Sequence, residues 1–383
     1  ARVRGIKISA TKLMPMIAAR AGGCVSLGQG VPSFPTPEHV AQAVAKSLRD
    51  DPSSGKYSLQ PGMPALRRAV ADQLLAEKGL PADPDVEIMI SVGAMEALLA
   101  AILTVIDKGD ECLVPAPYYP SHVEQVLLAE GRPVFFPLRP GDWSLDVDAA
   151  RAAVTERTRA IIINSPHNPT GAVFAEKDLL AVAELAIEKN LIIICDDTYD
   201  ALAYDGRPAF SLCRVPEIRD RLIAVNSFSK RYALTGWRAG YAWAEKTLMD
   251  QLLKVHDCAA ICAPTPSQHA ALASLTGPQD IYLDFATKLE ARRNLACARL
   301  SAMGGRFSHV RPQGAFYIMA RYDAPGLASM DAAVRCIHEA KVITIPGDAF
   351  GPGGEQSLRL SFGADEHELN EAFDRMERWN PAG

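Results

Sequence analysis

The chain runs to 383 residues, 48% of them apolar and 22% charged, with 40 basic against 45 acidic side chains and a net charge of −5. A chain of this length and composition buries a large core without disulfide staples, which excludes a disordered protein and fits two domains. The charge balance excludes the broad positive surface that holds nucleic acid or an anionic membrane, while leaving room for a local basic pocket.

Residues 1–20 carry basic side chains but no apolar run of signal-peptide type. Residues 64–76 place Leu66, Val70 and Leu74 on one face, which predicts a helix. A strand is predicted over 87–92 and an apolar helix over 95–106. Short aliphatic strands follow at 112–114, 134–136, 160–163, 191–195 and 222–225, with a helical stretch at 177–189. Aliphatic strands separated by helices predict an α/β fold with a parallel sheet covered on both faces. A long helix over 286–303 then opens a second α/β pattern, with strands at 314–319, 342–345 and 357–362 around a helix at 330–340. A smaller second unit is expected from about residue 280. No stretch has the ~20 apolar residues of a membrane helix. The eight cysteines form no CxxC pair, and no histidine pair completes a metal site. They read as reduced thiols of a cytoplasmic protein that binds no metal.

In open α/β sheets ligands gather at the carboxyl ends of strands. Four polar clusters fall there: Gly93-Ala94-Met95, then Asn164 through Gly171, then Asp196-Asp197-Thr198-Tyr199, then Asn226 through Lys230. Gly93 gives a tight strand-to-helix turn that frees the N–H groups of Ala94 and Met95 for an anion, phosphate above all. Ser227 and Arg238 supply a hydroxyl and a guanidinium for the same anion. Lys230 follows an apolar strand; desolvated among cations it becomes a nucleophilic amine, and in the open it is a solvated turn lysine. Asp196 ends a buried strand and needs a partner, either the protonated nitrogen of a heterocycle or the backbone of a helix it caps. Gly28-Gln29-Gly30 lacks the strand, helix and third glycine of a dinucleotide loop.

Together these residues resemble the class I/II aminotransferases, pyridoxal-phosphate (PLP) enzymes of fold type I. The matching strings are Leu27 through Phe34, Tyr57 with Gly62 and Leu66-Arg67, and Ser165-Pro166-His167-Asn168-Pro169-Thr170-Gly171. Asp196 with Tyr199, Ser227-Phe228-Ser229-Lys230, Gly236-Trp237-Arg238-Ala239-Gly240, Gly314-Ala315-Phe316-Tyr317 and Arg359-Leu360-Ser361-Phe362 complete the set. They run in the family's order from about residue 20 to 370, and several in register make chance assembly untenable.

The resemblance implies a large domain with a mostly parallel seven-stranded sheet over 46–280, and a smaller α/β domain over 281–383. Residues 1–45 would then form an N-terminal arm and part of the small domain. It implies that Lys230 carries the cofactor and moves the substrate's proton, and that Asp196 pairs with the pyridinium nitrogen. Tyr199 and Asn168 would bond the ring's phenolic oxygen, and Tyr119 would stack on the ring. Gly93, Ala94, Met95, Ser227 and Arg238 would cup the phosphate. Arg359 would fork the substrate carboxylate, helped by Asn168 and the Gly30 backbone. Tyr57 would serve the phosphate of a partner subunit, which implies a homodimer.

The activity implied is amino transfer between an L-amino acid and a 2-oxo acid. In a subgroup of relatives that use aspartate a lysine stands where this chain has Met95, while others use an arginine of the partner subunit; with Met95 here, neutral, apolar or aromatic donors are expected. Aspartate amino transfer and a β-lyase of kynurenine-aminotransferase type are the alternatives. A non-catalytic sensor domain of a transcription regulator is a remote one, disfavoured by the lack of basic character.

Overall fold

Seven strands build the central sheet of the computed structural model, which describes residues 2–6 and 9–382. They are β1 (Ile88–Ser91), β2 (Glu111–Ala116), β3 (Arg132–Pro137), β4 (Thr158–Asn164), β5 (Ile192–Asp196), β6 (Leu222–Ser227) and β7 (Gly240–Ala244). Their spatial order is β1-β7-β6-β5-β4-β2-β3, parallel throughout except for β7, which runs antiparallel between β6 and β1. The aliphatic runs explain the burial. Ile162, Ile194, Ile223 and Val225 join a cluster with Ala97, Leu98 and Ile102 of the helix Gly93–Val105. Ile161, Ile163 and Ile193 face the other way, against Leu179 and Val182 of the helix Glu176–Lys189. Alternate side chains therefore bury on opposite faces, as a sheet covered on both sides requires.

The expected strands and helices of this half are present. β7 is an addition: its sequence, Gly-Tyr-Ala-Trp-Ala, offers little aliphatic signal. Further helices cover Glu38–Asp50, Lys246–Ala260 and Thr265–Thr276. Val40 and Val44 pack into the same cluster as Ala270 and Ala271.

After the long helix Asp280–Ser301 comes an antiparallel sheet of β8 (Phe307–His309), β9 (Tyr317–Tyr322), β10 (Ile345–Pro346) and β11 (Ser357–Ser361), in the order β10-β11-β9-β8. Two expectations shift here. The strand expected over 314–319 begins only at Tyr317, because Ala315 takes a left-handed φ of 53°. The strand expected over 342–345 divides: Val342–Ile343 pairs in parallel with Val25–Ser26, and Ile345–Pro346 joins the four-stranded sheet. The helix expected over 330–340 is α-helical over Ser329–Arg335 and closes as a π turn, Cys336–Ala340.

The helix Ala10–Ala21 sends Ala10, Met14 and Ala18 into the second core, with Leu289, Leu300, Phe373 and Met376. Among the described residues no helix is long and apolar enough to cross a membrane.

Candidate active site

A cavity of about 520 Å³ opens at the carboxyl ends of β4, β5 and β6. That is the size of a small-molecule pocket. It brings together Gly30, Ala94, Met95, Tyr119, Asn168, Asp196, Tyr199, Ser227, Lys230, Arg238 and Arg359. Of the residues singled out in the sequence, Gly93 lies behind the lining and Tyr57 lies elsewhere.

Gly93 sets the first wall. Its φ is 71°, and a Cβ there would come within 2.6 Å of Arg238 Nη2. The turn releases the first N–H groups of the helix Gly93–Val105, which have no intrahelical acceptor. Arg238 is exposed to the cavity at a left-handed φ of 52°, its Nη1 donating to the Thr235 carbonyl at 2.9 Å. A non-glycine residue in this region costs about 1 kcal/mol or more, and such strain clusters at working sites. Ser227 stands beside it, its Oγ accepting the Ser229 N–H at 3.1 Å.

Asp196 projects from the end of β5. Its Oδ2 lies 3.0 Å from His122 Nε2, and its Oδ1 accepts the Thr198 N–H at 3.2 Å. Burial pushes the carboxyl up, but His122 and Thr198 outweigh it and hold its pKa below the ordinary value. His122 escaped the sequence reading. It stands three residues after Tyr119 at the start of the helix Pro120–Leu128, and that spacing was the signal available. The two rings meet edge-on at 5.3 Å. Beneath them His167 is buried, bonded through Nδ1 to Thr170 Oγ1 at 2.8 Å. Its pKa falls to about 3 through burial and then the nearby His122, so it stays neutral.

Lys230 enters from the short helix after β6. Its Nζ donates to the Gly30 carbonyl and sits 5.6 Å from the centre of the Phe316 ring. Burial first, then Arg238 and Arg359, bring its pKa down to about 8, with Asp196 opposing them. Such an amine is a nucleophile and a proton carrier near neutral pH.

Arg359 is buried between the rings of Tyr317 and Phe350, 4.4 and 4.9 Å from its guanidinium. Nη2 donates to the Gly28 carbonyl at 2.7 Å and Nη1 to Asn168 Oδ1 at 3.2 Å, while Nε has no acceptor. Asn168 is itself fixed, its N–H donating to Asn164 Oδ1 at 2.9 Å. The Tyr199 and Tyr317 hydroxyls are 2.8 Å apart, and burial raises the Tyr199 phenol well above its ordinary value. Tyr317 and Asn164, neither singled out from the sequence as a site residue, are thus structural parts of this wall.

The lining combines free N–H groups, a hydroxyl and a guanidinium, a carboxylate of lowered pKa, an amine of lowered pKa, and a buried guanidinium that meets no anion among the described residues. A phosphate-bearing, protonated heterocyclic aldehyde matches that set of groups, so the residues fit pyridoxal phosphate.

Comparison with known proteins agrees. The family model "Aminotransferase class I and II" matches residues 23–376. The chain is 38% identical over 359 residues to an aromatic-amino-acid aminotransferase of Thermococcus litoralis, covering 93% of this chain and 91% of the relative. It is also 38% identical over 365 residues to an aspartate aminotransferase of Pyrococcus abyssi, covering 94% and 93%. The structure of an aspartate aminotransferase from Thermus thermophilus with maleate superposes with a TM-score of 0.92 at 35% identity, covering 98% of each chain. A cavity built around an amine of lowered pKa thus sits on a scaffold shared along nearly its whole length, and this chain belongs to the class I and II aminotransferases, enzymes that work through pyridoxal phosphate.

Proposed function

We propose that this aminotransferase takes neutral, apolar or aromatic amino donors, with Arg359 holding their α-carboxylate and Lys230 moving their proton. Arg359 carries the reading. Its guanidinium is buried and, among the described residues, faces no carboxylate and leaves Nε without an acceptor. A buried charge in that state is completed by a bidentate anion, and a carboxylate has the matching fork.

Around the cofactor, the N–H groups of Ala94 and Met95, Ser227 Oγ and Arg238 would hold the phosphate. Asp196 would face the ring nitrogen, with His122 fixing its carboxylate. Tyr119 would cover the ring, and Tyr199 and Asn168 would meet its phenolic oxygen. Bound there, pyridoxal phosphate supplies an electron sink for the substrate's α-carbon. Lys230 Nζ, steered by the Gly30 carbonyl, takes the proton from that carbon and gives it back later in the cycle. In the cofactor-free protein, burial and the two arginines already bring its pKa down to about 8, which supports that role.

Met95, Leu98, Val31 and Pro15 line the same cavity and support an apolar donor side chain. The two relatives of equal identity divide between aromatic amino acids and aspartate, so aspartate is the second reading. Tyr57, 78% exposed, and its neighbour Leu59 support the homodimer, since a second copy would cover them. We further propose a cytoplasmic enzyme and a division into two domains near residue 280, which the two cores support; a boundary at residue 45 would cut the helix Glu38–Asp50, whose Val40 and Val44 pack in the first core. The test is a half-reaction screen of all twenty amino acids against the pyridoxal-phosphate form, followed by absorbance. Phenylalanine, methionine or alanine should lead; aspartate leading tenfold in kcat/KM would replace this reading with the second.

A further inference from the structure

Resting on that reading, we propose that Lys12 admits a dicarboxylic 2-oxo acid as the amino acceptor by pairing with its distal carboxylate. Four cationic side chains line the cavity: Lys12, Lys230, Arg238 and Arg359. Asp196 is the one acidic side chain among the lining residues, and His122 and Thr198 already hold it. In the proposed function Lys230 carries the cofactor, Arg238 meets its phosphate and Arg359 takes the α-carboxylate. Lys12 is left over, with no ion pair among the described residues.

Its position gives the fourth charge a purpose. The helix Ala10–Ala21 is anchored by Ala10, Met14 and Ala18, which are buried in the second core. Thr11, Lys12 and Pro15 of the same helix line the cavity, alongside Gly28, Gln29, Gly30 and Val31. Lys12 therefore borders the space from a helix anchored in the second core.

An aminotransferase passes two different side chains through one pocket. A permanently buried cation would serve an acidic side chain and penalise a neutral one, which would leave that cation unpaired. Lys12 is exposed, on a flexible four-carbon stem. With a neutral donor bound, its ammonium stays in water at no desolvation cost. With a dicarboxylic acceptor bound, it swings onto the distal carboxylate. Met95 and Leu98 keep the pocket apolar for the donor, and Lys12 supplies a charge that is present only when needed.

The test reads the acceptor half-reaction alone. The protein is loaded with pyridoxamine phosphate, so the result does not depend on which donor is preferred. The ratio of kcat/KM for 2-oxoglutarate to that for phenylpyruvate is compared in wild type, Lys12→Gln and Lys12→Arg. Lys12→Gln should lower the ratio about five- to tenfold, and Lys12→Arg should hold it near wild type. In wild type the KM for 2-oxoglutarate should rise with added salt, a dependence that Lys12→Gln should weaken. A ratio unmoved by Lys12→Gln, or both acceptors falling equally, would overturn the assignment. The donor reading fails separately, in the amino-acid screen.

Discussion

Two lysine–aspartate clusters lie on opposite sides of the end of β5, and they differ in completeness. Asp196 and Asp197 are consecutive, so their side chains point to opposite faces. Asp197 Oδ2 lies 2.5 Å from Lys78 Nζ, which also reaches Asp200 at 2.9 Å, and Ser211 and Cys195 close the remaining positions. Burial disfavours the Lys78 charge, yet Asp197 and Asp200 outweigh it and raise its pKa well above the ordinary value. On the other face Lys230 has no carboxylate within bonding distance among the described residues, and burial with Arg238 and Arg359 pushes it down to about 8. Both lysines are embedded in protein. The one with its partners in place keeps its charge, and the one denied them holds it weakly, which is the state the proposed role requires.

Exchanging the lysines tests this most severely. Lys230→Ala should fold normally and lose at least roughly 10²–10⁴ in turnover, the span that proton transfer by a positioned group supplies. Lys78→Ala should instead lower stability while the protein that remains folded still turns over. Borohydride treatment of the pyridoxal-phosphate form should fix the label on Lys230; a label on Lys78 or Lys254 would break the comparison.

The aspartates come next. Asp196→Ala should cost about 3–4 kcal/mol in kcat/KM, the loss expected when a preorganised charge is removed. Asp197→Ala should cost about 3 kcal/mol of stability, the lower end for a broken buried pair because Asp200 still faces Lys78. Urea denaturation and kinetics on the two variants separate these outcomes. Equal loss of activity would mean that the two faces are not distinct.

pH sharpens the contrast. The folded pKa of Lys230, about 8, lies below its ordinary 10.5, so between these values the unfolded chain binds more protons and stability rises with pH. Lys78 has a raised folded pKa, so its contribution is fully present below 10.5 and is lost only as pH climbs through the higher value. In cofactor-free protein, the stability of wild type relative to Lys230→Met should therefore increase from pH 8 to pH 10. A flat difference would show that Lys230 is not desolvated.

The smallest effect concerns the open cluster's apolar wall. Met95→Lys adds a cation to the wall that Met95 and Leu98 keep apolar, and should shift the aspartate-to-phenylalanine preference toward aspartate by about 1–3 kcal/mol. Paired kcat/KM measurements decide it.

The sequence makes the open cluster legible and hides most of the closed one. Lys230, Asp196 and Arg359 stand in strings that resemble a family, and strand ends are where an α/β sheet collects ligands. Choosing Asp196 over Asp197 needs the pleat, which is fixed only once the strand's register is known. Lys78 reaches its aspartates from the end of a helix over a hundred residues upstream, and nothing local announces that pairing. His122 lies in an unremarkable apolar helix, and Lys12 in a segment with no motif at all. β7 carries no local signal for a related reason: with two alanines and a glycine among five residues, it is a strand because β6 and β1 flank it.

The helix Ala10–Ala21 has a consequence for how the molecule comes into being. It is the first α-helix of the chain, yet it packs in one core with Phe373 and Met376 of the last, Glu366–Glu377. The central sheet closes much earlier, once β7 has been made at residue 244 and slotted beside β1. During synthesis the sheet-bound half of the cavity can therefore form while its overhang still waits for residues not yet joined to the chain. The ribosome must release nearly the whole polypeptide before the opening segment finds its seat. A nascent chain would then expose the sheet side of the cavity before the Ala10–Ala21 helix can cover it.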